Sequence, residues 1–362
     1  MDNIKHIDSE MINGVGWIRL NRPEALNALT LPMIREIFRL LIEWENHDSV
    51  AMVCMYGVGD KAYCAGGDVR QLYDLKDGNI EPYAFEFFST EYKMNMLMHN
   101  YKKPILAYMN GIVMGGGVGI SVGAKYRIVT EETKWAMPEM NIGLYPDVGG
   151  SYFLNCMPGQ IGRYLALTSS VIGATDVLYA GAADYFILSH HWEDLRSTIE
   201  DRVWYKNTAD DQLKTLLGQY IRKLPGESKL KDSQFRINQH FEYNRIEDIV
   251  QSLKEAADCG DEWAQSTLKT VGSKSPTSLK VTLEQLIRGK GKLISECLEM
   301  EINMSMNFMK SHDFFEGVRA VLVDKDRDSK WHPHSFAEVS EEEVNSFFKY
   351  PWKAGFDPLG MG

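Results

Sequence analysis

The sequence predicts an α/β protein built from repeated ββα units and closed by a helical C-terminal region. Two observations carry this. Apolar runs twice end in glycine-rich turns that lead towards helices, at residues 50–68 and again at 104–123. Beyond about residue 190 the apolar residues recur at helical spacing in long polar stretches, so the predicted organisation is a mixed core at 1–190 and a helical region at 191–362.

Taken in order, residues 14–20 (GVGWIRL) read as a strand ending in the turn Asn21-Arg22-Pro23-Glu24. Residues 31–44 place apolar side chains at helical spacing, with Pro32 in the first turn, where its missing N–H is tolerated. The run at 50–56 (VAMVCMY) is apolar throughout, as a strand buried on both faces is. It continues through Gly57-Val58-Gly59-Asp60 into Cys64-Ala65-Gly66-Gly67-Asp68. Residues 81–101 read as a long helix rich in Phe, Met and Tyr, a stripe that signals core packing, with Glu91 the residue that does not fit it. Residues 104–109 form a second buried strand, bounded by Pro104 and Asn110-Gly111, and the triplet Gly115-Gly116-Gly117 opens a small-residue helix. After Tyr152 helices are expected at 160–168 and 174–180, a short strand at 183–188, and helices at 192–205, 210–224, 246–257 and 279–310.

Composition narrows the function classes. A net charge of −11 argues against nucleic acid or an anionic membrane as the main partner, so an anionic ligand would need helix N-termini or a local basic patch. The five cysteines are scattered and odd in number and show no C-x-x-C spacing, which predicts neither a zinc centre nor a disulfide framework and fits a reducing compartment. The polar N-terminal stretch has no apolar signal core and no Arg-rich presequence, and no apolar run reaches membrane-spanning length; a cytoplasmic protein is expected.

Several motifs are set aside on their spacing. Gly119-Ile120-Ser121-Val122-Gly123 matches G-x-S-x-G, but the apex of that turn belongs to the glycine triplet, so Ser121 falls inside the helix as a packing residue. Asp324 to Asp328 copies the start of a calcium loop, yet Ser329 and Ser335 stand where its Gly and Glu are required. The glycines from 115 to 123 miss the dinucleotide register by one residue, and no phosphate-binding P-loop occurs.

What remains is chemical. A glycine run between strand and helix leaves backbone N–H groups uncovered at a helix N-terminus, where developing negative charge is stabilised. Two such bends occur, and two acids follow: Glu139 directly after Pro138, and Asp147 within Pro-Asp-Val-Gly-Gly. Taken singly, Glu139 is a first-turn acid favoured by the helix dipole and Asp147 an N-cap.

CAGGD (64–68), MNGIVMGGGVGISVGAKYRI (109–128) and AMPEMNIGLYPDVGGSYFL (136–154) together resemble the crotonase superfamily, the enoyl-CoA hydratase/isomerase group, and the resemblance covers the whole chain. SPTSLK (275–280) and DFFEGVRAVLVDKDRDSKW (313–331) are similar to its 3-hydroxyisobutyryl-CoA hydrolase branch. The resemblance implies a spiral of ββα units with helices closing over an acyl-CoA thioester, and no cofactor beyond the coenzyme A of the substrate. It implies an oxyanion hole from the N–H groups of Gly67 and Gly116, with Gly66, Gly115, Asp68 and Glu91 binding substrate. Hydratases of the group place a first glutamate at the end of G-G-G-x-E; here that position is Gly119, while Glu139 fills the second glutamate position. Asp147 stands where hydratases usually carry Gly and the hydrolase branch carries Asp. The implied activity is hydrolysis of 3-hydroxyisobutyryl-CoA in valine degradation, with Glu139 as nucleophile or base and Asp147 orienting water or acting as the acid partner. Alternatives are an enoyl-CoA isomerase or hydratase of the same superfamily, or an acyl-CoA binding protein without catalysis. A homo-oligomer is compatible with each.

Overall fold

The computed structural model describes residues 6–224 and 226–360. The chain forms two compact units, neither continuous in sequence: one takes residues up to 67, 93–135 and 172–231, the other 68–92, 136–171 and 232 onward. No helix among the described residues is long and apolar enough to cross a membrane.

The first unit is organised on a six-stranded sheet. Strands β1 (Ile7–Ile12) and β2 (Val15–Leu20) pair antiparallel. Asn13 and Gly14 both take positive φ (49° and 93°) in the two-residue connection, as the twist of such a hairpin requires. β3 (Met52–Gly57), β5 (Ile105–Met109), β7 (Tyr126–Val129) and β9 (Tyr185–Phe186) then add in parallel, giving the order β1-β2-β3-β5-β7-β9. β3 and β5 are buried almost throughout, which is why their sequences show no polar alternation. β1 is one of the strands that sequence patterning missed. It lies at the sheet edge with Ser9 and Met11 outward, so its sequence carries no apolar run.

A second, three-stranded sheet holds β4 (Ala62–Cys64), β6 (Ile112–Met114) and β8 (Lys134–Ala136) in the order β4-β6-β8. Helix α1 (Leu31–Asn46) is capped by Thr30, whose hydroxyl accepts from the N–H of Met33, and buries Ile34, Ile37, Leu41 and Trp44 on one face. Helix α2 (Val69–Asp74) opens the second unit and α3 (Ile80–His99) follows it. Helix α4 (Gly116–Val122) grows out of β6 and is buried through Ser121.

The close approach of α4 to β4 dictates a glycine at 117, because a Cβ there would fall within the carbonyl of Cys64. Gly117→Ala is therefore expected to lower stability by about 2–3 kcal/mol. Gly218→Ala, inside the helix Ala209–Tyr220 with nothing near its Cβ position, should raise stability by about 0.5–1 kcal/mol. Paired urea titrations of the two variants check both directions.

The second unit is mainly helical. Where the sequence predicts a single helix over 279–310, there are two, Pro276–Gly289 and Ile294–Phe308. Gly291 takes φ +75° and breaks the run, and Glu296 accepts from the N–H of Leu293 to start the next helix.

Candidate active site

Each unit holds a distinct chemical feature. In the first, two glycine bends run side by side. Gly66 (φ +112°) and Gly115 (φ +51°, ψ −121°) adopt backbone conformations that a side chain disfavours. A carbon added to Gly66 would stand 3.6 Å from the amide nitrogen of Gly116 and 3.8 Å from the Cα of Gly115. The adjoining N–H groups of Gly67 and Gly116 have no acceptor among the described residues. Gly116 is also the first residue of α4, where the helix dipole adds to the donor. The G-x-S-x-G serine faces none of this: Ser121 is buried, and its hydroxyl donates to the carbonyls of Gly117 (2.9 Å) and Val118 (3.0 Å).

Among the buried acids of the second unit, four act on one another's charge: Glu91 from α3, Glu139, Asp147, and Glu301 from the helix Ile294–Phe308. Pro138 leads into a single 3-10 turn, Glu139–Ile142, closed by Gly143 at φ +64°. Glu139 is thus a first-turn acid, as its position after proline predicts, but it does not face water. It is buried, and its Oε2 meets no hydrogen-bond partner among the described residues; the same holds for Oε1 of Glu91. Asp147 is not an N-cap. That place belongs to Gly149, and the Asp147 carboxylate instead accepts from the hydroxyl of Tyr92 at 3.0 Å. Asp68 stands at the N-cap position of α2.

Around Asp147 the hydroxyls form a chain. Ser305 lies 2.6 Å from the Tyr92 hydroxyl and 2.8 Å from that of Tyr145. Tyr145 donates to the backbone carbonyl of Glu301 at 2.6 Å. With Tyr145 and Tyr92 both donating outward, the Ser305 proton is left to bridge between them. The carboxylate of Glu301 accepts from the N–H groups of Gly149 (2.7 Å) and Ser151 (2.9 Å).

Burial drives the electrostatics. Desolvation lifts Glu91 and Glu139 well above the ordinary carboxylate range, and the charge of Asp147 lifts both further. Asp147 is raised to about 7, again chiefly by burial, with the Tyr92 hydrogen bond acting the other way. Glu301 rises to about 8, burial outweighing its bonds to the loop N–H groups. The cluster therefore shares protons near neutral pH. No group of three His, Cys, Asp or Glu side chains among the described residues could hold a metal ion.

Sequence reading did not single out Tyr92, Tyr145, Ser305 or Glu301. Glu301 did leave a signal: it is an acid between Leu298 and Ile302 on the apolar side of its helix, with Ser305 one turn on.

Comparison with known proteins adds an independent line. The family profile "Enoyl-CoA hydratase/isomerase" matches residues 15–348. The Homo sapiens "3-hydroxyisobutyryl-CoA hydrolase, mitochondrial" is 42% identical over 342 residues, 92% of this chain and 86% of that protein. The Xenopus laevis protein of the same name is 43% identical over 339 residues, with the same coverage of both chains. Among solved structures, an enoyl-CoA hydratase from Rhodobacter sphaeroides superposes with a TM-score of 0.86 at 34% identity, over 95% of this chain and 97% of that one. A carnitinyl-CoA dehydratase from Mycobacterium thermoresistibile gives 0.87 at 33%, over 96% and 97%.

Proposed function

Since the chain belongs to the enoyl-CoA hydratase/isomerase family, the crotonase superfamily, we propose that it is an acyl-CoA thioester hydrolase acting on 3-hydroxyisobutyryl-CoA. The observation that carries this reading is the acid pair. Glu139 keeps a buried oxygen unpartnered, Asp147 is the neighbouring acid that titrates near neutrality, and Gly119 stands where a hydratase of the family would carry its first glutamate. The relatives named as 3-hydroxyisobutyryl-CoA hydrolases support the substrate.

In the proposed reaction the N–H groups of Gly67 and Gly116 hold the thioester oxygen as it gains charge, a contribution of about 3 kcal/mol per donor. Glu139, once deprotonated, either attacks the carbonyl carbon or takes a proton from the water that does. Glu139 and Asp147 share one proton; in the reactive arrangement it rests on Asp147, which passes it to the coenzyme A thiolate as the C–S bond breaks. By the nucleophilic route a mixed anhydride with Glu139 forms, and water then cleaves it to release 3-hydroxyisobutyrate. Glu91 meets the 3-hydroxyl of the acyl chain.

The solved hydratase and dehydratase relatives favour a second reading, addition of water across an enoyl double bond. One assay panel separates the two. Thiol release followed with a free-thiol reagent should be fast with 3-hydroxyisobutyryl-CoA and slow with crotonyl-CoA. Loss of enoyl absorbance without thiol release would support hydration, and binding without either change would reduce the protein to an acyl-CoA carrier. Single turnover in oxygen-18 water then distinguishes the routes, since label entering Glu139 requires the anhydride.

A further inference from the structure

The loop that carries Asp147 contains a residue in the wrong conformation for its type. Val148 has φ +50°, the left-handed region that a β-branched side chain strongly resists, and Gly149 follows at +89°. Such backbone persists only where the surroundings impose it. Both oxygens of Glu301 are committed to this loop, through the N–H groups of Gly149 and Ser151 on either side of Gly150. Gln285 closes the opposite side, its amide donating to the carbonyl of Pro146 (2.7 Å) and the hydroxyl of Ser151 (2.9 Å). Glu301 is fully buried, and a buried carboxylate is an expensive way to hold a loop that hydroxyls or amides could cap. Its geometry answers that objection, because one rigid planar group reaching two N–H donors two residues apart fixes the backbone between Asp147 and the helix Gly150–Phe153.

We infer that Glu301 is a positioning residue for the hydrolysis: its carboxylate holds the Asp147 loop in a conformation that Val148 opposes, and so determines where the Asp147 carboxyl stands. This rests on the reading of Asp147 as an acid of the reaction. Without the clamp the loop relaxes towards the conformation Val148 prefers and carries Asp147 with it. A glycine in place of Val148 would remove the opposition, making the clamp dispensable.

The test is a double-mutant cycle of Glu301→Gln and Val148→Gly in the full chain, read by thiol release and by urea unfolding. Glu301→Gln should lower kcat about 10-fold with little change in KM, since a displaced acid impairs the chemical step more than binding. Adding Val148→Gly to it should restore most of the lost turnover. Val148 is buried, so in urea Val148→Gly should lower the midpoint less in the wild-type background, where it also relieves the strained backbone, than in the Glu301→Gln background. Equal effects of Val148→Gly in both backgrounds, with no recovery of turnover, would overturn the inference. Should Glu301→Gln not fold, Glu301→Asp takes its place in the same cycle. A wild-type protein that releases no thiol from any acyl-CoA would defeat the proposed hydrolysis, and the urea arm would still decide whether Glu301 opposes Val148.

Discussion

Glu139→Gln is expected to reduce thiol release from 3-hydroxyisobutyryl-CoA by about 1,000-fold or more, with KM changed only slightly. Glutamine has the same shape, so the burial and the 3-10 turn opened by Glu139 are preserved. What is lost is the ability to accept a proton or to attack. The consequence differs from that of removing a structural acid: deleting a buried carboxylate whose oxygen has no partner should leave the fold intact or strengthen it. A variant that retains more than a tenth of wild-type turnover would rule Glu139 out as both nucleophile and base. The acid limb of the wild-type kcat/KM profile should likewise lie above the ordinary carboxylate range, because burial and the charge of Asp147 both hold the Glu139 proton.

Asp147→Asn should suppress catalysis and yet stabilise the protein in alkaline buffer. The folded-state pKa of Asp147 is about 7 against an ordinary 3.8, so the folded chain binds this proton more tightly than the unfolded chain. Stability from this group is fully present below pH 3.8 and is lost as the pH rises through 7. Each pH unit separating the two values is worth about 1.4 kcal/mol, which puts the penalty above neutrality on the order of 4 kcal/mol. Glu91 and Tyr92 on α3, Glu139 and Tyr145 in the segment around Asp147, and Glu301 on the helix Ile294–Phe308 all carry the same sign of effect. Urea midpoints at about pH 5 and about pH 8.5, on either side of the titration, provide the check. The wild type should be markedly weaker at the higher pH, and the Asp147→Asn variant should narrow the gap. An unchanged gap would mean that Asp147 is solvated and titrates like an ordinary aspartate.

Glycine made much of this legible in the sequence. Gly66, Gly67 and the triplet at 115 mark bends that leave the backbone without side-chain cover, and a run of missing side chains is visible without a structure. Buried strands such as β3 and β5 are equally plain, since both faces are covered and the whole run is apolar. The edge strand β1 escaped because its partly exposed residues follow no apolar run, and the break at Gly291 escaped because one glycine between two amphipathic stretches resembles a tolerated interruption. Glu301, Ser305 and Tyr145 were harder for another reason. Glu301 and Ser151 bond across a separation of 150 positions, and pattern within a helix does not reveal which distant N–H groups its polar residue will meet. Asp147 itself was found through its setting, but its partner, Tyr92, was hidden in an aromatic stripe that otherwise serves packing.

The crowding of acids in the second unit also changes how the molecule looks to an incoming anion. The formal charge of −11 counts every aspartate and glutamate as ionised. Glu91, Glu139, Asp147 and Glu301 retain protons near neutrality because ionising them together in a dry interior is unfavourable. The native chain is thus less negative than its composition implies, and denaturation releases hydrogen ions into the buffer. A coenzyme A ester, with its phosphates, approaches a surface whose repulsion has been softened from within.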